Sequence, residues 1–165
     1  MLKLFAALGA ILTLVAGCGT GSPTAPPVTP TPLSATEYIS RLYVVISGID
    51  ATLRGIEIAL GANDEVPGIY EEKMWRDDMN KRVGDLREKV RELENIGPEP
   101  PELTWTYGLS QGHLQLPIRN FLEAYDDFKM RGDSDALKDL KDWENSLRDG
   151  VDQVNEAIDK YKRGT

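Results

Sequence analysis

The sequence predicts an all-α fold, an antiparallel up-down-up-down four-helix bundle, on three observations. From residue 34 onward the apolar side chains recur in steps of three and four, the period of a helix with one buried face. Glycine, proline and capping residues cut that pattern into four segments of similar length. No stretch shows the apolar/polar alternation of a half-buried strand. Segments of about 28 residues make helices of roughly 42 Å, and short connections between helices of one length favour antiparallel neighbours.

The first helix opens on Ser34-Ala35-Thr36-Glu37, a capping box in which the serine oxygen accepts from the third amide and the glutamate reaches back. Ile39, Leu42, Ile46, Ile49, Leu53, Ile56 and Leu60 then form an unbroken apolar seam. Gly61-Ala62-Asn63-Asp64 is expected to stop the helix, and Pro67 to mark the next start. The second helix carries Trp75, Met79, Val83, Leu86, Val90, Leu93 and Ile96 and ends at Gly97-Pro98. Its other faces hold acid-first pairs at four-residue spacing, Glu72 with Arg76, Asp77 with Lys81, Asp78 with Arg82 and Asp85 with Lys89, which mark a solvated surface.

The third helix is the least regular. Pro101 suits a first helical position, and Leu103, Tyr107, Leu114, Phe121, Tyr125 and Phe128 trace a stripe that Gly108, Gly112 and Pro117 interrupt. Pro117 lacks a donor and its ring crowds the carbonyl four residues earlier, so a kink is expected near it. Gly132 should cap this helix, with Asp133 or Ser134 starting the fourth. The fourth carries Leu137, Leu140, Trp143, Leu147, Val151, Val154, Ile158 and Tyr161. Lys160, Lys162 and Arg163 lie at its C-terminal end, where the helix dipole favours them.

Ahead of the helices the composition is different. Met1-Leu2-Lys3 carries one positive charge, and the apolar run from Leu4 to Val15 has the length of a secretory signal and is too short to span a bilayer. It leads into Leu14-Val15-Ala16-Gly17-Cys18, an aliphatic residue, two small ones before the cut and a cysteine. This resembles the lipobox of bacterial lipoproteins. The resemblance implies that residues 1–17 are a cleaved signal peptide and that Cys18 becomes a lipidated N-terminus carrying acyl chains such as palmitate. It also implies a protein anchored by lipid in the cell membrane or outer membrane, facing the periplasm or the cell exterior. Two or three acyl chains make such anchoring effectively permanent, where a single chain would hold marginally. Residues 18–33 follow as a spacer. Five of the chain's ten prolines lie between Gly19 and Pro32, and at about 3 Å per residue this stretch could hold residues 34–163 up to roughly 40 Å from the lipid.

Charge and residue inventory exclude several function classes. The chain has a formal charge of −8; loss of Lys3 with the signal leaves the mature chain more negative still. So acidic a domain is not drawn to nucleic acid or to anionic headgroups. Cys18 is the only cysteine, so no intrachain disulfide can form, and His113 is the only histidine. A lone histidine does not make a zinc site, and neither nucleophile elbow, P-loop nor dinucleotide fingerprint is present. Asp126, Asp127, Asp133, Asp135, Asp139 and Asp142 concentrate where helices three and four meet, but their spacing fits no calcium loop, and acids at a helix start are favoured by its dipole. Arg131-Gly132-Asp133 coincides with a helix end and the next helix start, which explains those residue types locally.

No catalytic residue, metal site or resident cofactor is therefore predicted. The expected function is that of a non-enzymatic interaction or structural protein of the cell envelope, with a protein partner there and no nucleic acid. The alternative is a small molecule or cofactor within the bundle, for instance a haem held by His113 and a methionine. Trp105, Tyr107, Leu109, Leu114, Leu116 and Ile118 supply more apolar surface than one helix stripe needs. Trp105, Tyr107, His113 and Pro117 are accordingly the expected partner or ligand surface.

Overall fold

The computed structural model describes residues 33–103 and 110–164. The expected signal peptide, Cys18 and the spacer as far as Pro32 lie outside those residues, as do Trp105, Tyr107 and Gly108. What is described is all-helical, with four helices: α1 (Ala35–Glu65), α2 (Lys73–Glu94), α3 (Leu116–Arg131) and α4 (Ser134–Arg163). They are not of matched length, having 31, 22, 16 and 30 residues.

Each departure has a local cause. At the start of α1 the Ser34 Oγ accepts from the Glu37 N–H at 3.3 Å, but the Glu37 carboxylate turns to Arg41 at 2.7 Å, so only half of the capping box is used. α1 runs through Gly61, whose missing side chain faces open space, because Ala59 and Leu60 are still buried and hold that turn. Asn63 then fastens the exit, its Oδ1 accepting from the Gly68 N–H at 3.0 Å, while Gly68 takes a left-handed φ of 85°. Pro67 lies in this turn and is followed by a 3₁₀ turn, Ile69–Glu71, so α2 starts at Lys73.

The third helix changes most. Pro101–Leu103 is a separate 3₁₀ turn, and Ser110–Gln115 is a π turn that leads directly into α3. Pro117, in the first turn of α3, would have to give an N–H to the His113 carbonyl to extend the α ladder backwards, and proline has none. A wider π turn at that point removes the conflict. At the other end Gly132 closes α3 with φ 62°, its N–H donating to the Phe128 carbonyl at 2.8 Å. Asp133 caps α4 by accepting from the Ala136 N–H at 2.8 Å.

The seven seam residues expected of α1 are all buried. α1 packs closely against α2 and α4, and α3 packs against α4. Two glycines permit the first of these approaches. A Cβ at Gly48 would meet the Lys89 Cδ at 3.0 Å, and one at Gly55 would fall 3.2 Å from the Arg82 Cζ. The stems of Lys89 and Arg82 therefore lie along α1 over positions seven apart. Of the four expected acid-first pairs only Asp78 with Arg82 forms, at 2.6 Å. With its stem laid on Gly48, Lys89 pairs with Glu92 at 2.8 Å, and Asp77 pairs with Lys73.

In α4 the buried seam is Leu137, Leu140, Glu144, Leu147, Val151, Val154 and Ile158. Trp143, expected in the core, is 37 % exposed, and the unbroken alternation of three and four passes through Glu144 instead.

Candidate functional site

The feature that distinguishes this fold from a closed arrangement lies between α2 and α3. These two helices do not pack backbone to backbone as the other neighbours do. Side chains bridge them instead. The Arg87 guanidinium donates to both carboxylate oxygens of Asp126 at 3.0 Å, the Tyr125 hydroxyl donates to Asn80 Oδ1 at 2.9 Å, and the Trp75 and Phe128 rings meet edge to face at 5.8 Å. A bidentate arginine pair of this kind holds orientation as well as charge.

On one side of the Arg87–Asp126 bridge is a solvent-open groove of about 640 Å³. Val90, Leu116, Ile118 and Leu122 supply its apolar lining, and Glu94, Arg119 and Glu123 its polar rim. Leu116 is 46 % exposed there. A large aliphatic side chain held at the mouth of a concave surface with charged edges is the usual composition of a docking site. Toward the α1–α2 and α3–α4 connections lies a smaller cavity of about 200 Å³, lined by Tyr70, Trp75, Asn80, Tyr125 and Phe128 among others. Trp75 is fixed in its wall because its Nε1–H donates to the Ala59 carbonyl of α1 at 2.7 Å. Burial pushes the Tyr125 phenol up to about 12; Asp126 adds to the rise and Arg87 opposes it.

A second polar feature joins α1 to α4. Arg148 of α4 reaches Glu144 on its own helix and Glu57 on α1, each at 2.8 Å. Burial raises the Glu144 carboxyl above the usual glutamate range, the Arg148 hydrogen bond and charge pull it back, and Glu57 adds to the rise. The Arg148 Nε is buried without an acceptor. This triad ties α1 to α4, with Glu144 buried and Glu57 at the surface, and does not line the groove.

The residues expected at the functional surface separate. Pro117 is buried and His113 half-buried, the latter with its backbone against Gly150 of α4. Neither lines the groove, and Trp105 and Tyr107 lie outside the described residues. The groove is lined instead by their neighbours Leu116 and Ile118 together with Arg87, Val90, Leu122 and Asp126. The surplus of apolar residues in the third segment was the signal for Leu116 and Ile118. Nothing in a single sequence marks Arg87 or Val90 as their partners. Among the described residues no three His, Cys, Asp or Glu side chains come together as a group that could hold a metal ion, and no helix is long and apolar enough to cross a membrane. The Arg131-Gly132-Asp133 side chains are engaged with one another, Arg131 meeting Asp133 at 3.1 Å and Asp127 at 3.0 Å.

Comparison with protein-family models, curated proteins and solved structures finds no match to this chain.

Proposed function

We propose that this chain is a lipid-tethered, extracytoplasmic, non-enzymatic interaction protein of the cell envelope. In this reading acylated Cys18 holds it in the cell membrane or outer membrane, the proline-rich spacer lifts it, and the helical domain binds another envelope protein. The single observation that carries the interaction is the open face between α2 and α3, where a groove of about 640 Å³ leaves Leu116 exposed beside Val90 and Leu122. The lipobox-like run from Leu14 to Cys18 supports the tether.

The helices then run up, down, up and down, with the third bent at Pro117. Contacts along α4 and α1 support this direction: Lys141 meets Asp64, Arg148 meets Glu57, and the Lys162 ammonium sits 3.5 Å from the centre of the Tyr43 ring, so one helix rises as the other falls. The change from π turn to α-helix next to Pro117 supports the bend.

A photo-crosslinking residue placed at Leu116 of the full chain, irradiated in native membranes, tests the reading. It should yield one reproducible adduct with an envelope protein. Failure to recover a reproducible adduct from any position on the α2–α3 face contradicts the function proposed.

A further inference from the structure

We propose that the smaller cavity, between Trp75 of α2 and Phe128 of α3, binds an aromatic carboxylate. The ligand's ring lies among the aromatic walls and its anion between Arg76 and Lys129. This site is separate from the groove beside Leu116 and does not rest on the function argued above.

The walls are fixed without a ligand. The Trp75 Nε1–H is fastened to the Ala59 carbonyl at 2.7 Å, and the Phe128 ring meets Trp75 and Tyr70 edge to face, each at 5.8 Å. Rings that hold one another in this way leave a preformed apolar space. Its volume of about 200 Å³ exceeds the roughly 150 Å³ that accommodates a benzene ring, with space left for a carboxylate beside it.

The polar lining selects an anion. The chain holds 27 Asp and Glu against 19 Lys and Arg. Yet Arg76 of α2 and Lys129 of α3, which both line this cavity, have no ion pair among the described residues. Each is left over for a local reason. Glu72, four residues before Arg76, precedes α2 in extended backbone with φ −71° and ψ 135°, out of helical register with it. Lys129 has Asp126 and Asp133 at helical spacing, but Arg87 takes the first, and Arg131 with the Ala136 N–H takes the second. The Tyr125 ring, 5.7 Å from the Lys129 ammonium, is a weak substitute. Asn80 accepts from the Tyr125 hydroxyl through Oδ1 at 2.9 Å, which leaves its amide N–H donors for a ligand. Glu71 is the one carboxylate of the lining and opposes an anion, but two cations outweigh it. Two unpaired cations and an amide on an aromatic cavity match a carboxylate with a ring behind it.

The test is ligand-observed NMR on the full chain in phosphatidylcholine nanodiscs, with empty nanodiscs as the blank. The probes are phenylacetate and a short peptide ending in phenylalanine, since a free acid and a protein C-terminus carry the same chemistry. At least one should bind with a Kd below about 1 mM, as a ligand of about ten non-hydrogen atoms allows. Phenylacetamide and the amidated peptide keep the ring without the charge, and acetate keeps the charge without the ring. Each should bind at least about tenfold more weakly than the corresponding acid. Arg76→Gln and Lys129→Gln should each weaken the acid about fivefold or more, and Glu71→Gln should tighten it. Arg119→Gln, on the neighbouring groove, should leave binding unchanged. All four side chains are exposed, so these changes spare the core. Tighter binding of phenylacetate identifies a free acid as the ligand, and tighter binding of the peptide identifies a partner's C-terminus; either supports the proposal. Neither acid binding above the blank, equal binding of the amides, or full binding by a folded Arg76→Gln, Lys129→Gln double variant overturns it.

Discussion

The backbone carbonyl of His113 is pressed into the side of α4 at Gly150, where a Cβ would overlap the carbonyl oxygen and fall 2.8 Å from the carbonyl carbon. The two ends of this contact have one origin. Pro117, four residues after His113, has no N–H for that carbonyl and its ring crowds it, so the backbone widens into a π turn. Only glycine on the facing helix leaves room for the widened backbone.

Gly150→Ala should therefore destabilise the protein by about 2–3 kcal/mol, because the obstacle is backbone and cannot rotate away. Gly84→Ala, in α2 with open space around it, should stabilise by up to about 1 kcal/mol through helix propensity alone. Urea unfolding followed by circular dichroism measures both. Equal effects of the same sign would mean that His113 does not occupy the notch.

Pro117 and Gly150 should also be coupled. Pro117→Ala restores the donor and removes the ring, so the chain can tighten and withdraw the carbonyl. In a double-mutant cycle the cost of Gly150→Ala should fall by about 1 kcal/mol or more in the Pro117→Ala background. Strict additivity would separate the π turn from the proline.

Glu144 should leave a signature in the pH dependence of stability. Its carboxyl is raised in the fold, chiefly by burial, so the folded state holds that proton more tightly than the unfolded chain does. Unfolding then releases a proton in the window between the ordinary glutamate value and the raised one. Its contribution is full below that window and is lost as pH rises through it. Glu144→Gln keeps the shape and removes the titration. The difference in urea midpoint between wild type and Glu144→Gln should decline as pH is raised from about 4 to about 7. A difference that grows instead would show that Arg148 outweighs burial.

Tyr125 makes the corresponding claim in alkali. Its phenol is pushed up to about 12, mainly by burial, and it donates to Asn80 across the α2–α3 gap. Stability from this group is present below its unfolded value and disappears as pH rises toward the folded one. Tyr125→Phe should cost about 1 kcal/mol at neutral pH. It should also remove one late-titrating tyrosine from the tyrosinate absorbance curve. If no tyrosine titrates late, the hydroxyl is not held as described.

How much of this the sequence showed depends on how local the cause was. The caps at Ser34, Gly132 and Asp133 were legible because each is decided within a few residues. The α1 seam was legible because a regular apolar spacing has one interpretation. Trp143 was misplaced because its hydropathy outweighed spacing; the heptad rhythm itself pointed to Glu144. The α2 start was misplaced because Asn63 and Gly68 build a longer turn than Pro67 alone suggests. The short α3 followed from a conflict between Pro117 and His113 whose resolution, a π turn against Gly150, needs a helix far away in the chain. The groove was out of reach for the same reason, since Arg87 and Asp126 share no sequence neighbourhood. Only the surplus of apolar residues around Leu116 hinted that one face stays open.

Every role proposed for the helical domain depends on its being carried on a lipidated Cys18. Intact-mass spectrometry of the protein extracted from its own membranes tests that most directly. The predicted result is a chain starting at Cys18 with the added mass of a diacylglycerol and a fatty acyl group, and a Cys18→Ala variant that keeps its leader and carries no lipid. A chain recovered without lipid mass, or cut at another residue with Cys18 unmodified, would contradict it.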